Sequence, residues 1–152
     1  MDVLLEILEI LINALPMGDQ LWIVFIFILV LSILVFVHEY GHYKAARMCG
    51  VNVKSFSIGF GKELFGWTDK HDTRWKFSLV PLGGYVEMLG QGSEEGVNSD
   101  NEHESFANKS VWQRMFIVFA GPLANFLFAY ASLMGLFAIT GEQVMLPKVG
   151  AV

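Results

Sequence analysis

Two long apolar runs decide what this chain can fold into. The first, Leu21 to Val37, is seventeen residues broken only by Ser32. The second, Met115 to Ile139, is twenty-five residues with Asn125, Tyr130 and Ser132 as polar exceptions. At about 1.5 Å per residue in a helix the first covers about 25 Å, and the second is long enough to cross a hydrocarbon core of roughly 30 Å with some tilt. The alternative, a pair of helices buried in a soluble core, needs other chain to wrap them. A total of 152 residues, 54% of them hydrophobic and only 16% charged, leaves little for that task; a soluble domain averages roughly 25% charged residues. Thirteen phenylalanines add to the excess. The expectation is an integral membrane protein, mainly α, with two transmembrane helices and a small antiparallel β-element between them. Disorder, collagen and coiled coil fit poorly. A net charge of −5 gives no basic footprint, so nucleic acid is excluded as a partner. A single cysteine, Cys49, excludes an intrachain disulfide framework.

Flanking residues orient the spans. Trp22 and Trp112 stand where interfacial aromatic anchors belong. Nine of the ten Lys and Arg residues lie between the runs, and Lys44, Arg47, Lys109 and Arg114 sit close to the span ends. The positive-inside rule puts that loop in the cytoplasm and both termini outside. Residues 1–20 form an extracytoplasmic segment. Its stretch Leu4 to Leu15 carries Glu6 and Glu9 and ends at Pro16, without the positive start of a signal peptide; a short interfacial helix is expected.

The spacing predicts that the first helix occupies 21–50, with Gly50 as its stop signal. From Val51 the apolar period changes to two, through Val53, Phe56, Ile58 and Phe60. Turn residues Gly66, Asp69 and Asp72 follow, then a second alternating run at Trp75, Phe77 and Leu79. A β-element over 51–90 is expected. Its Gly83-Gly84 pair marks a bend or a close backbone approach, or else simply a tight turn. Residues 91–110 form an acidic, solvated loop, and 111–140 the second span. His71 and His103, in polar surroundings, read as surface histidines.

The chemistry is concentrated in His38-Glu39-Tyr40-Gly41-His42. Histidines at i and i+4 project from one face of a helix and can reach one zinc ion at about 2.0–2.1 Å. Glu39 is then close to the metal without being forced to bind it, placed to take a proton from activated water and pass it to a leaving amine. The bland alternative is a polar helix end at the membrane boundary. However, ionisable groups at such depth are costly, and Gly41 costs roughly 1 kcal/mol within a helix, which close approach of another group would explain. A second signal lies in Ala120-Gly121-Pro122-Leu123-Ala124-Asn125. The small residues permit close helix packing and Pro122 favours a kink. The Asn125 amide either bonds another helix or orients substrate and stabilises developing oxyanion charge near the metal.

Taken in order, HEYGH ending a first span, PLGGYVEM, and AGPLANF in the next span resemble the site-2 proteases, intramembrane zinc metalloproteases, and most closely their bacterial sigma-E-regulating branch. The resemblance covers about Leu31 to Ile139. It implies His38 and His42 as ligands of Zn2+ and Glu39 as general base. It implies that the β-element around Pro81 to Met88, with Gly83, Gly84 and Tyr85, is membrane-associated and helps present the substrate strand, and that Asn125 is the second-span asparagine near the site. It implies substrates that are single-span membrane proteins, such as anti-sigma factors already trimmed by another protease, and a place in the bacterial inner (cytoplasmic) membrane. In that family a third zinc ligand comes from an Asp of a Leu-Asp-Gly motif on a later helix. No such motif occurs here, and after Asn125 the only acidic residue is Glu142. Residues 141–152 resemble the start of a PDZ-like region. The expectation is therefore an incomplete, N-terminal part of such a protease. Two competing readings are a non-catalytic or partner-binding membrane fragment, and an anchored soluble-type zincin drawing a glutamate such as Glu63 to the metal.

Overall fold

The computed structural model describes residues 17–92 and 97–141. The expectations for residues 1–16, for Glu142 and for the PDZ-like start lie outside the described residues. Helix α1 spans Met17–Met48, strand β1 Val53–Thr68, strand β2 Arg74–Met88, a single 3-10 turn Glu102–Glu104, and helix α2 Val111–Thr140.

Local chemistry explains both helix boundaries that frame the site. Asp19 in the first turn of α1 and Arg47 in the last complement the helix dipole. Gly50 adopts φ 67°, Val51 N–H donates to Ala46 O at 2.9 Å and Gly50 N–H to Arg47 O at 3.1 Å. This is the left-handed glycine stop that satisfies the last carbonyls. Helix α2 opens on a capping box: Gln113 N–H donates to Ser110 Oγ at 3.3 Å, and Ser110 N–H to Gln113 Oε1 at 3.1 Å.

The two strands form one antiparallel sheet that folds on itself. Residues from Val53 to Ile58 pair with Met88 to Gly84, while Phe60 to Thr68 pair with Val80 to Arg74. Ser55, Phe56, Ser57 and Ile58 each have a further partner on the other side, from Arg74 to Phe77. The bend that allows this lies at Gly59 (φ 92°) and Gly61 (φ 88°). A Cβ at Gly59 would lie 2.8 Å from Ser78 O and 2.9 Å from Val80 O, so only glycine fits. One expectation is corrected here and one open alternative is decided. Gly66 lies inside β1, and the reversal is made by the segment around Asp69–Thr73. Gly83 and Gly84 lie inside β2 and form no tight turn; they are positions of close approach.

The core gathers where the end of α1, the base of the sheet and the start of α2 meet. Tyr43, Ala45, Ala46, Val53, Phe56 and Ile117 belong to it, and Phe56 stacks on Trp75 at 4.3 Å. The rest of the apolar surface faces outward. None of the most apolar eighteen-residue stretch of α1, and 11% of that of α2, is buried within the protein. Both helices are long and apolar enough to cross a membrane. Trp22 and Trp112 are 62% and 79% exposed. The outer end of the sheet also exposes Phe60, Leu64, Phe65, Leu79 and Leu82.

Asp69 ties the strand reversal to α1. Its carboxylate accepts from Trp75 Nε1–H at 3.0 Å, from the backbone N–H of His71 at 2.7 Å and of Thr73 at 3.1 Å, and from Tyr43 O–H at 3.4 Å. Desolvation alone would raise its pKa, but the bonds from Trp75, His71 and Thr73 and the nearby His71 ring hold it below the ordinary carboxylate value. A depressed folded-state pKa contributes stability that is present above the unfolded value, about 3.9, and is lost as pH falls through the folded one. Exchange protection of the Trp75 indole N–H should therefore decline from below about pH 5 downward. In Asp69→Asn it should be weaker at neutral pH and flat over the same range.

Candidate metal centre

Helix periodicity builds the centre. On α1, His38, Gly41, His42 and Ala45 share one face; on α2, Ile117, Gly121 and Asn125 succeed one another turn by turn. The two faces meet at glycine. A Cβ on Gly41 would run into the Ala120 carbonyl oxygen and lie 2.8 Å from Ala124 Cβ. A Cβ on Gly121 would run into His42 Nε2. Ile117 and Gly121 are the buried residues of α2.

The pair of imidazoles is already converged. His38 Nε2 and His42 Nε2 lie 3.2 Å apart. Two nitrogens bound at about 2.05 Å to one tetrahedral ion would be about 3.3 Å apart, so the pair fits a shared zinc. The rear nitrogens are both engaged. His42 Nδ1 is 2.8 Å from Ile117 O, and His38 Nδ1 is 3.3 Å from Asn125 Nδ2. A carbonyl only accepts, so His42 carries its proton on Nδ1 and turns a bare Nε2 toward its partner, as metal-binding histidines do. Asn125 Oδ1 is buried and has no hydrogen-bond partner.

Glu39 points to the sheet side of the same helix. Val86 N–H donates to its carboxylate. Gly84 admits this packing: a Cβ there would lie 2.9 Å from Val35 Cγ1 and 3.1 Å from Glu39 Cγ. Gly83 lies against the Phe60 ring, and Tyr85 stacks on Phe60 at 6.3 Å with Lys76 Nζ 4.9 Å from its ring centre. Two cavities share Glu39. One of about 240 Å³ is lined by Glu39, His42, Gly84, Tyr85 and Val86 among others. The other, of about 370 Å³, includes His38, Glu39, Gly83, Gly84 and Asn125.

The structure thus brings His38, Glu39, His42, Gly84, Tyr85 and Asn125 together, with Gly83 at the edge. Sequence reading missed the Ile117 carbonyl and the Val86 amide, and it saw Gly121 only as a packing residue. The spacing of Ile117, Gly121 and Asn125 at four-residue steps was the available signal. Among the described residues no group of three or more His, Cys, Asp or Glu is arranged to hold a metal. Glu63 does not fill the gap: its carboxylate is bound to Arg74 at 2.5 Å. His71 and His103 are exposed.

Two histidines one helical turn apart, their Nε2 atoms 3.2 Å apart and a glutamate between them in sequence, make the H-E-x-x-H pattern that metallopeptidases carry. The chain belongs to peptidase family M50, the site-2 proteases, whose family model matches residues 26–150. It is 48% identical over 134 residues to protease RseP of Yersinia pestis, covering 88% of this chain and 29% of that protein. It is 51% identical over 109 residues to the regulator of sigma E protease of Haemophilus influenzae, covering 72% and 24%. A Brucella suis protein that carries zinc metalloprotease in its name is 45% identical over 135 residues, covering 83% and 36%. The chain therefore spans about a quarter to just over a third of the length of these relatives.

Proposed function

We propose that this chain supplies the water-activating part of an intramembrane zinc metallopeptidase that hydrolyses peptide bonds in single-span membrane proteins. The observation that carries this reading is the His38–His42 pair, with Nε2 atoms 3.2 Å apart and both rear nitrogens engaged, beside a glutamate that faces two cavities. Helices α1 and α2 cross the bilayer of the bacterial inner membrane, and the loop between them, with nine cations, is cytoplasmic. The apolar outer end of the sheet lies in the membrane boundary.

His38 and His42 would hold Zn2+, which when bound would polarise the scissile carbonyl and lower the pKa of water from 15.7 to about 7. Glu39 takes one proton from the attacking water on a carboxylate oxygen. As the C–N bond breaks, it returns that proton to the leaving amide nitrogen. The Val86 N–H fixes the carboxylate while it waits. Gly83, Gly84 and Tyr85 hold the substrate in extended form beside Glu39; the two glycines let β2 pack this closely, since a β-carbon on Gly83 would run into the Phe60 ring and one on Gly84 would lie 3.1 Å from Glu39 Cγ. A catalytic zinc takes three protein ligands plus water, so the third comes from outside the described residues. The name of the Haemophilus relative, a regulator of sigma E, supports a membrane protein that controls a sigma factor, such as an anti-sigma factor, as substrate.

The test uses the whole gene product in proteoliposomes with a single-span substrate. Cleavage inside the span, stopped by 1,10-phenanthroline and restored by stoichiometric zinc, is the expected result. Cleavage that survives chelation, or that falls only in the aqueous part of the substrate, overturns the reading; the latter would favour an anchored zincin.

A further inference from the structure

We propose that Asn125 is the positioning residue of the histidine pair: its amide sets the tautomer of His38 and turns over when a divalent cation binds. The inference rests on the metal reading of His38 and His42. Without a metal, the hydrogen bonds have one consistent direction. Ile117 O accepts from His42 Nδ1–H at 2.8 Å, so His42 Nε2 is an acceptor. His38 Nε2, 3.2 Å away, must then donate, and a neutral His38 has no proton left for Nδ1. Asn125 meets that bare Nδ1 with its Nδ2–H at 3.3 Å. The arrangement satisfies both imidazoles but leaves Asn125 Oδ1 buried without a partner, a condition folded proteins seldom keep without a reason.

A cation shared by the two Nε2 atoms reverses the requirement. His38 can no longer carry its proton on Nε2, so the neutral ring carries it on Nδ1, which changes from acceptor to donor. Two donors would then face each other across 3.3 Å. A half-turn of the amide puts Oδ1 in that place, and the orphaned acceptor becomes the partner of the new N–H. The two ends of an amide have nearly the same shape, so the turn asks nothing of the surrounding packing.

The experiment uses the whole gene product in micelles, labelled with 15N in its histidine rings. The expected spectra show His38 protonated at Nε2 without metal and at Nδ1 with zinc, while His42 keeps its Nδ1 proton throughout. An unchanged His38 tautomer overturns the proposal. Zinc affinity, measured by chelator competition, gives the second readout. Asn125→Asp can only accept, so it should bind zinc at least as tightly as the parent, whereas Asn125→Leu should bind about 10–100-fold more weakly. Equal loss in both variants also overturns it. If the parent binds zinc no better than the His38→Ala/His42→Ala double variant, the metal reading itself fails and this inference with it. A parent that binds zinc with unaltered tautomers sinks this inference alone.

Discussion

Glu39→Gln is expected to leave zinc bound and to slow peptide hydrolysis by about 10²–10⁴-fold, the usual contribution of a positioned general base. The argument is geometric. The substitution keeps the length of the side chain and an oxygen that can accept from Val86 N–H, so the contact that fixes residue 39 to β2 survives. It removes the one property the mechanism needs, a carboxylate able to hold a proton between attack and departure. His38 and His42 are untouched, with their Nε2 atoms still 3.2 Å apart and their rear nitrogens still bound to Ile117 and Asn125. Metal content by mass spectrometry should therefore match the parent, while the rate of span cleavage collapses. A variant cleaving within tenfold of the parent would show that another group moves the proton. A variant that had lost its zinc would show instead that the Glu39–Val86 contact holds the metal helix in place.

Much of this site could be read from the sequence because its parts are local. Two histidines four residues apart share a face in any α-helix, and Gly50 can stop that helix wherever it occurs. What escaped depends on contacts between distant elements. Pro81-Leu82-Gly83-Gly84 left a tight turn and a close approach both open; it runs inside β2 because Gly84 packs on Val35 and Glu39 of α1, contacts no local preference encodes. Gly66 reads as a turn residue but pairs with Lys76 within the ladder; the reversal falls instead at Asp69, whose carboxylate gathers the Trp75 indole and two backbone amides. The Ile117 carbonyl has no signature at all, since every residue has one. The apolar extent of the two helices was legible from composition, whereas their crossing point was not. It is set by which glycine of α1 meets which small residue of α2.

That crossing point gives the other large effect. Gly121→Ala is expected to abolish zinc binding and, with it, cleavage. The added methyl would occupy space already filled by the His42 ring at Nε2, the atom that faces His38. Three responses are available, and each costs the site. If His42 rotates away, its Nδ1–H leaves Ile117 O and its Nε2 leaves the shared gap. If α2 retreats, Ile117 and Asn125 retreat with it, and both imidazoles lose their rear partners. If α1 retreats, Gly41 lifts from Ala120 and Ala124 and the closest contact between the helices opens. Helix propensity works in the opposite direction, since alanine is about 1 kcal/mol better than glycine within a helix, so the damage should appear in metal affinity more than in folding. Gly135→Ala is the matched control. It lies on the same helix with nothing within 4 Å of its added carbon, and should keep both zinc and activity. Thermal melting in detergent should show α2 intact in both variants, and chelator competition should separate them by at least 100-fold. If Gly121→Ala holds zinc as tightly as Gly135→Ala, the two helices do not meet at His42 in the working protein, and the centre must be assembled differently.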